Sequence, residues 1–131
     1  MPVSQPRIRV RYAETDQMGV VYYANYLVWF EVARTDLLRT LGWTYREMEA
    51  TGVYLPVIEA HCEYRFAARY DDDLTIRTEG RLASRVRVEF SYEIVLQTSS
   101  QLAAVGRTVH VATDAGGRPR RLPERVVEAF A

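Results

Sequence analysis

The chain has 131 residues, 48% of them hydrophobic and 26% charged, and its 17 Lys+Arg are balanced by 17 Asp+Glu. That length suits a single domain over 1–131 and is too short for a cofactor domain beside a separate substrate domain. Zero formal net charge excludes a global charge excess as the attraction for nucleic acid or any other partner.

All the basic residues are arginine, which removes a lysine Schiff base or lysine general base. The single cysteine, Cys62, excludes an intrachain disulfide. Two histidines and one cysteine argue against an all-protein zinc centre, so no metal is expected. The amino terminus carries Pro2 and Pro6 but no apolar signal-like core, and no later stretch has the roughly 18 apolar residues of a membrane span. A cytoplasmic location without a membrane partner is the expectation.

From Arg7 to Tyr12 the chain alternates, predicting a first strand with Ile8, Val10 and Tyr12 toward a core. Glu14, Thr15, Asp16 and Gln17 break the alternation, and Gly19 suits a turn. Asn25 is placed to cap a helix. Tyr26, Phe30, Ala33, Leu37 and Leu41 recur at helical spacing, Leu27, Trp29 and Leu38 widen the apolar surface, and Gly42 supplies a stop. Thr44 and Glu47 have the form of a capping box for a short second helix, Tyr45 to about Ala50.

Val57, Ile58, Cys62, Tyr64 and Phe66 predict an extended segment with a bend or bulge, and Asp71-Asp72-Asp73 predicts a turn. Three strands follow, about Leu74–Leu82, Val86–Gln97 and Leu102–Thr113. In the middle one Val86, Val88, Phe90, Tyr92, Ile94 and Leu96 share a side, with a polar counterface. Ser99-Ser100 and Gly116-Gly117 read as turns, and Pro123–Phe130 as a terminal helix. The sum is an α+β domain in which a curved antiparallel sheet encloses the long helix. Sheet edges need protection, and the Val86–Gln97 face is a candidate surface for a second copy.

The chemistry concentrates at the entrance of the long helix. Free amides and the dipole there favour a negative group, which makes Asp16 the candidate nucleophile or general base. A backbone amide around Tyr23 is placed to receive charge developing on a carbonyl oxygen. Gly19 allows close approach of backbone to a ligand, Asn25 can orient water or an acyl group as well as cap the helix, and Tyr22 and Tyr23 present hydroxyls or core lining. Glu31 is spaced for an ion pair with Arg34. His61 and Cys62, adjacent on a strand, point to opposite faces and do not form a nucleophile and base pair. Cys62 and His110 read as structural residues, and the aspartate run as a solvated turn.

Asp16-Gln17-Met18-Gly19-Val20-Val21-Tyr22-Tyr23-Ala24-Asn25-Tyr26, supported by Glu31-Val32-Ala33-Arg34, Tyr64-Arg65 and Asp72-Asp73, resembles the acyl-CoA thioesterases of the hot-dog fold. The branch includes 4-hydroxybenzoyl-CoA thioesterase and the small thioesterases associated with the Tol-Pal system, and the resemblance runs from Ile8 to about Thr113. It implies a hot-dog fold and hydrolysis of an acyl-CoA thioester, with the carboxylate matching Asp16 in catalysis and the Tyr23 amide as donor to the thioester carbonyl. It also implies a homodimer of joined sheets, often paired into a homotetramer, with substrate at a subunit boundary. No cofactor is required, because coenzyme A belongs to the substrate. Its phosphates would suit Arg85, Arg87, Arg118, Arg120 and Arg121.

Many members of the Tol-Pal-associated branch have histidine where this chain has Tyr23, a departure that removes an imidazole and leaves the main-chain amide. Hydration or dehydration of an acyl thioester is the alternative hot-dog reaction, and a non-catalytic acyl-CoA-binding dimer is the alternative of a different class. RNA binding lacks an aromatic nucleic-acid motif, so no nucleic-acid partner is expected.

Overall fold

Alternation of apolar and polar side chains builds the strand at the centre of the sheet. In the computed structural model, which describes residues 2–131, β5 (Arg87–Leu96) buries Val88, Phe90, Tyr92, Ile94 and Leu96 on one face. It lies between β4 (Asp73–Leu82) and β6 (Leu102–Val111), antiparallel to both, with Tyr92 opposite Thr78 on one side and Gly106 on the other. β3 (Val57–Tyr64) adds to the outer side of β6, with a register shift between Val57 and Glu59 that is the expected bulge. Two short strands, β1 (Val3–Ser4) and β2 (Arg7–Arg9), lie in succession along the free side of β4.

The helix α1 (Asn25–Thr40) spans 16 residues, roughly 24 Å at 1.5 Å per residue. It buries Tyr26, Trp29, Phe30, Ala33, Leu37 and Leu38. Phe30 stacks on Tyr92 of the central strand, with ring centroids 4.2 Å apart and planes within 8°. The contact requires glycine opposite: a Cβ on Gly106 would come within 2.5 Å of the Phe30 ring. Each large apolar side chain so buried contributes about 1.5–3 kcal/mol, which is why the helix settles on the sheet. The short helix α2 (Tyr45–Ala50) starts where Thr44 Oγ1 accepts from Glu47 N at 3.1 Å, and α3 (Glu124–Phe130) packs Val126 and Phe130 into the core.

Several expectations are corrected. Strand pairing stops at Arg9, and Tyr12 belongs to a 3-10 turn, Tyr12–Glu14, with its ring 76% exposed instead of facing the core. Glu14 takes the buried position there. Leu27 is exposed on α1, together with Val28 and Val32. Arg34 makes no ion pair with Glu31; its Nε donates to the Tyr45 hydroxyl at 3.2 Å.

β5 is paired on both sides, and the outer face it would offer a second copy is polar, with Arg87, Glu89, Ser91 and Glu93. The unpaired edge is β3, whose Val57, Ile58 and Tyr64 are 43–47% exposed. The opposite edge is screened by charge, since Arg7 pairs with Asp73 and Arg9 lies 3.8 Å from Asp71. No helix among the described residues is long and apolar enough to cross a membrane.

Candidate functional site

The residues after the 3-10 turn form a small hairpin at the mouth of α1. Asp16 N donates to Val20 O at 2.9 Å and Gly19 N donates to Asp16 O at 3.0 Å. That tight turn places Gly19 at φ +80°, the left-handed region where a side chain is strained. Val21 N donates to Ala68 O at 2.8 Å, fastening the hairpin to the segment that leads into β4.

Within this turn Asp16 is half-buried and its Oδ1 accepts from Met18 N at 2.9 Å. The side chain is thereby oriented, and its second oxygen has no hydrogen-bond partner among the described residues. Six residues past Gly19 the chain enters α1. Tyr22 N donates to Glu14 O at 2.9 Å and Asn25 N to Tyr22 O at 2.9 Å. Among the described residues no acceptor takes the amides of Tyr23 and Ala24, as befits a helix amino terminus. On the other side of the residue, Tyr23 O accepts from the Tyr64 hydroxyl at 3.0 Å.

Asp16 and Tyr23 border one cavity of about 310 Å³, with Val21, Tyr26, Tyr64 and Phe66 among its apolar lining. Asp16 also borders a wider, open hollow shared with Tyr12, Gly19 and Tyr70. The carboxylate therefore stands where a polar opening meets an apolar recess. A group entering from solvent along Tyr12 and Tyr70 would reach Asp16 before its apolar part entered the recess.

Other candidates are arranged differently. Gly19 lines the outer hollow, while Tyr22 is 47% exposed and packs its ring against Tyr23 at 4.8 Å, so neither tyrosine is core lining. Asn25 is the first residue of α1 and does not cap it; its Nδ2 donates back to Glu14 O at 2.9 Å.

The arginines lie at the other end of the sheet. Arg85 and Arg121 flank one recess with Glu124, Arg87 opens β5, Arg118 sits in the exposed turn after Asp114, and Arg120 Nη1 donates to Gly52 O at 3.2 Å. Arg120 N pairs with Ala112 O, whereas Tyr64 beside Asp16 faces Ala104, eight residues earlier along β6. At about 3.3 Å per residue that is roughly 25 Å, so one chain does not bring these arginines to Asp16.

His61 is exposed on β3, whereas Cys62 neighbours Tyr64 and Tyr26 of the recess wall. Cys62 is half-buried on β3, and burial first of all pushes its thiol up from the ordinary value, opposite to what a nucleophile needs. His110 is buried on β6 with Nδ1 3.0 Å from Leu55 O and Nε2 2.9 Å from Thr108 Oγ1. Burial pushes its pKa down to about 4, leaving a neutral structural imidazole at pH 7. Asp72 Oδ2 accepts from Arg69 N at 2.8 Å and so holds the turn, whereas Asp73, expected in that turn, opens β4 and pairs across the strands with Arg7.

Two residues of the site escaped sequence reasoning. Glu14 is buried and accepts from Trp29 Nε1 and from Arg11 N, partners 15 residues apart in one case, which no local pattern announces. Tyr64 reaches Tyr23 from 41 positions away.

Comparisons with known proteins place the chain in a family. Residues 10–130 match the family model described as Thioesterase-like superfamily. The chain is 39% identical over 114 residues to YneP of Bacillus subtilis strain 168, a provisionally named acyl-CoA thioesterase, covering 87% of this chain and 82% of that one. It is 33% identical over 123 residues to the acyl-CoA thioester hydrolase YbgC of Escherichia coli O6:H1, covering 94% and 92%. The solved DHNA-CoA thioesterase of Staphylococcus aureus superposes with a TM-score of 0.88 at 37% identity, covering 93% of this chain and 82% of that one. With the fold, the helix-entrance carboxylate and these likenesses together, the chain belongs to the thioesterase-like superfamily and is a thioesterase of the hot-dog fold.

Proposed function

We propose that the protein hydrolyses acyl-CoA thioesters to a carboxylic acid and free coenzyme A, with Asp16 as nucleophile or general base and the Tyr23 amide as oxyanion donor. The observation that carries this reading is the pairing of a half-buried carboxylate with an unclaimed helix-entrance amide on one apolar recess. As nucleophile, Asp16 adds to the carbonyl carbon and the C–S bond breaks. The departing thiolate takes a proton, and water then cleaves the mixed anhydride and returns the carboxylate. As general base, Asp16 removes a proton from the water that attacks the same carbon. In either route the carbonyl oxygen becomes negative and the Tyr23 N–H receives that charge. One such donor is worth about 10²- to 10³-fold in rate. Neither route needs a cofactor, since coenzyme A arrives as part of the substrate.

The assembly that goes with this chemistry is a dimer joined through β3. A two-fold axis across the middle of that edge pairs the strands antiparallel, with the Val57 end of one copy beside the Tyr64 end of its partner. The exposed Val57, Ile58 and Tyr64 would then be covered. Each copy's arginine-rich end, with Arg85, Arg87, Arg118, Arg120 and Arg121, would be carried toward the other copy's Asp16. In that assembly the arginines contact coenzyme A phosphates across the boundary, and pairing of two dimers gives a tetramer.

The test follows free thiol and carboxylic acid together across aromatic, short-chain and long-chain acyl-CoA, with acyl carrier protein thioesters as a separate arm. Asp16→Asn is expected to lower kcat by about 10²- to 10⁴-fold with the fold retained. Full activity in a folded D16N protein would remove Asp16 from the mechanism. Substrate binding without either product would leave an acyl-CoA-binding protein in place of an enzyme.

A further inference from the structure

The hairpin that carries Asp16 is fastened to α1 by a single buried acid. The Glu14 side chain is 8% exposed, yet both its oxygens are engaged: Oε1 accepts from Arg11 N at 2.7 Å and Oε2 accepts from Trp29 Nε1 at 2.9 Å. The Arg11 guanidinium adds a partner at 3.6 Å from Oε1. The main chain of the same residue is equally committed, because Glu14 O accepts from Tyr22 N and from Asn25 Nδ2, each at 2.9 Å. One residue thus ties together the start of the 3-10 turn at Arg11, the second turn of α1, the amide just before Tyr23 and the first residue of the helix.

We propose that Glu14 is a positioning residue for the reaction, setting the relative placement of the Asp16 carboxylate and the Tyr23 amide. Asp16 lies two residues after Glu14, and Tyr23 lies one residue after the amide that Glu14 O holds. Between them the hairpin is closed by its own hydrogen bonds, so it moves as a unit about its two attachments. The attachment toward β4 is Val21 N to Ala68 O, supported by Arg69 Nη1, which donates to Gly19 O at 3.5 Å; the attachment toward α1 is Glu14.

A buried carboxylate is a costly way to fill space, since an apolar side chain of similar volume avoids the desolvation. What the charge adds is direction: two N–H groups meet two fixed oxygens, and an apolar filler would leave the hairpin free to rock against Trp29. A displacement near 1 Å between nucleophile and oxyanion donor costs on the order of 100-fold in rate, so a small release is enough to matter.

The role rests on the hydrolytic reading for its kinetic consequence but not for its structural one, and the experiment separates the two. In Glu14→Gln the side-chain amide can accept from only one of Arg11 N and Trp29 Nε1, and turns an N–H donor toward the other. With protein shown to be folded by circular dichroism at the assay temperature, kcat of E14Q is expected to fall about 10- to 100-fold while KM stays within about twofold. Amide exchange is expected to quicken at residues 15–25 and to stay unchanged along β4, β5 and β6. Trp29→Phe removes one donor and keeps the Arg11 bond, so it gives the same pattern at smaller amplitude, and it decides the matter if E14Q does not fold.

In the double variant E14L/W29F, which restores an apolar contact, thermal stability is expected to recover while kcat does not. Recovery of both would reduce Glu14 to a packing residue and overturn the proposal. So would an unchanged kcat in folded E14Q, or faster exchange spread evenly over the sheet. If the unchanged protein hydrolyses none of the acyl-CoA substrates, the proposed reaction fails while the exchange pattern still decides whether Glu14 holds the hairpin.

Discussion

The Tyr64 hydroxyl donates to Tyr23 O at 3.0 Å, so the last residue of the edge strand β3 holds the peptide that follows the unclaimed Tyr23 amide. The same ring packs edge-on against Tyr26 at 4.9 Å and Tyr23 at 6.3 Å, forming one wall of the recess beside Asp16. Tyr64→Phe keeps the ring and removes the hydroxyl. A single neutral hydrogen bond is worth about 0.5–1.5 kcal/mol, so kcat is expected to drop by roughly 2- to 12-fold with little change in KM. A rise in KM at constant kcat would instead mean that Tyr64 contributes to uniform substrate binding.

His110 gives the fold a defined response to acid. Its pKa falls from 6.5 when unfolded to about 4 in the native chain, chiefly because burial disfavours the cation. Above pH 6.5 the residue is neutral in both states and this contribution to stability is complete. Between pH 6.5 and about 4 the unfolded chain binds a proton that the native chain refuses, so stability declines by up to about 3 kcal/mol. Carboxylates add their own dependence, so the measurement is urea unfolding of the unchanged protein and of His110→Asn from pH 7 to 4. The variant is expected to be less stable at pH 7 and to lose less on acidification. Parallel curves would show that His110 does not control this window.

Much of this architecture could be read from periodicity because α1 and β5 each present one sustained apolar face to one core. The Thr44 and Glu47 cap and the Gly19 turn were legible for a related reason, as both are local hydrogen-bond or backbone requirements. Tyr12 misled because alternation ran on past the point where the chain leaves the sheet at Arg9. Val57 and Ile58 marked an extended segment, but apolarity marks a surface to be covered without saying by what, and within one chain they stay 45% and 43% exposed. Asp16 could be singled out as a candidate because its loop and the following helix are contiguous in sequence. Glu14 bonds locally to Arg11 N, but its contact with Trp29 and that of Tyr64 with Tyr23 are brought about by tertiary packing, which no spacing rule reaches.

Gly106 tests the packing of helix on sheet. A Cβ there would lie 2.5 Å from two atoms of the Phe30 ring and 2.7 Å from the main-chain oxygen of His61. The ring is fixed from its other side by Tyr92, and the oxygen belongs to the adjoining strand, so neither neighbour yields cheaply. Gly106→Ala is expected to cost about 1–3 kcal/mol, as overpacking of a filled core does. Thermal and urea unfolding would measure it, and Phe30→Leu in the same chain should recover part of the loss. An alanine variant as stable as the unchanged protein would mean that α1 is free to lift from the sheet.

The proposed joint at β3 makes a prediction that the single chain alone does not. Ala60 and His61 lie at the middle of the strand and are exposed, so replacing both with lysine removes nothing from the core of one copy. Across a two-fold axis, however, the new ammonium groups of the two copies would face each other, and like charges directly opposed on paired strands are destabilising. Native mass is therefore expected to fall from a dimer or tetramer to a monomer, with circular dichroism preserved. Because the arginine-rich end and the Asp16 corner of one chain are roughly 25 Å apart, a monomer should also lose affinity for coenzyme A thioesters, raising KM more than it lowers kcat. Unchanged assembly in A60K/H61K would place the contact elsewhere. A fully active monomer would mean that one chain carries the whole site, and that Arg85, Arg87, Arg118, Arg120 and Arg121 serve some purpose other than holding the substrate.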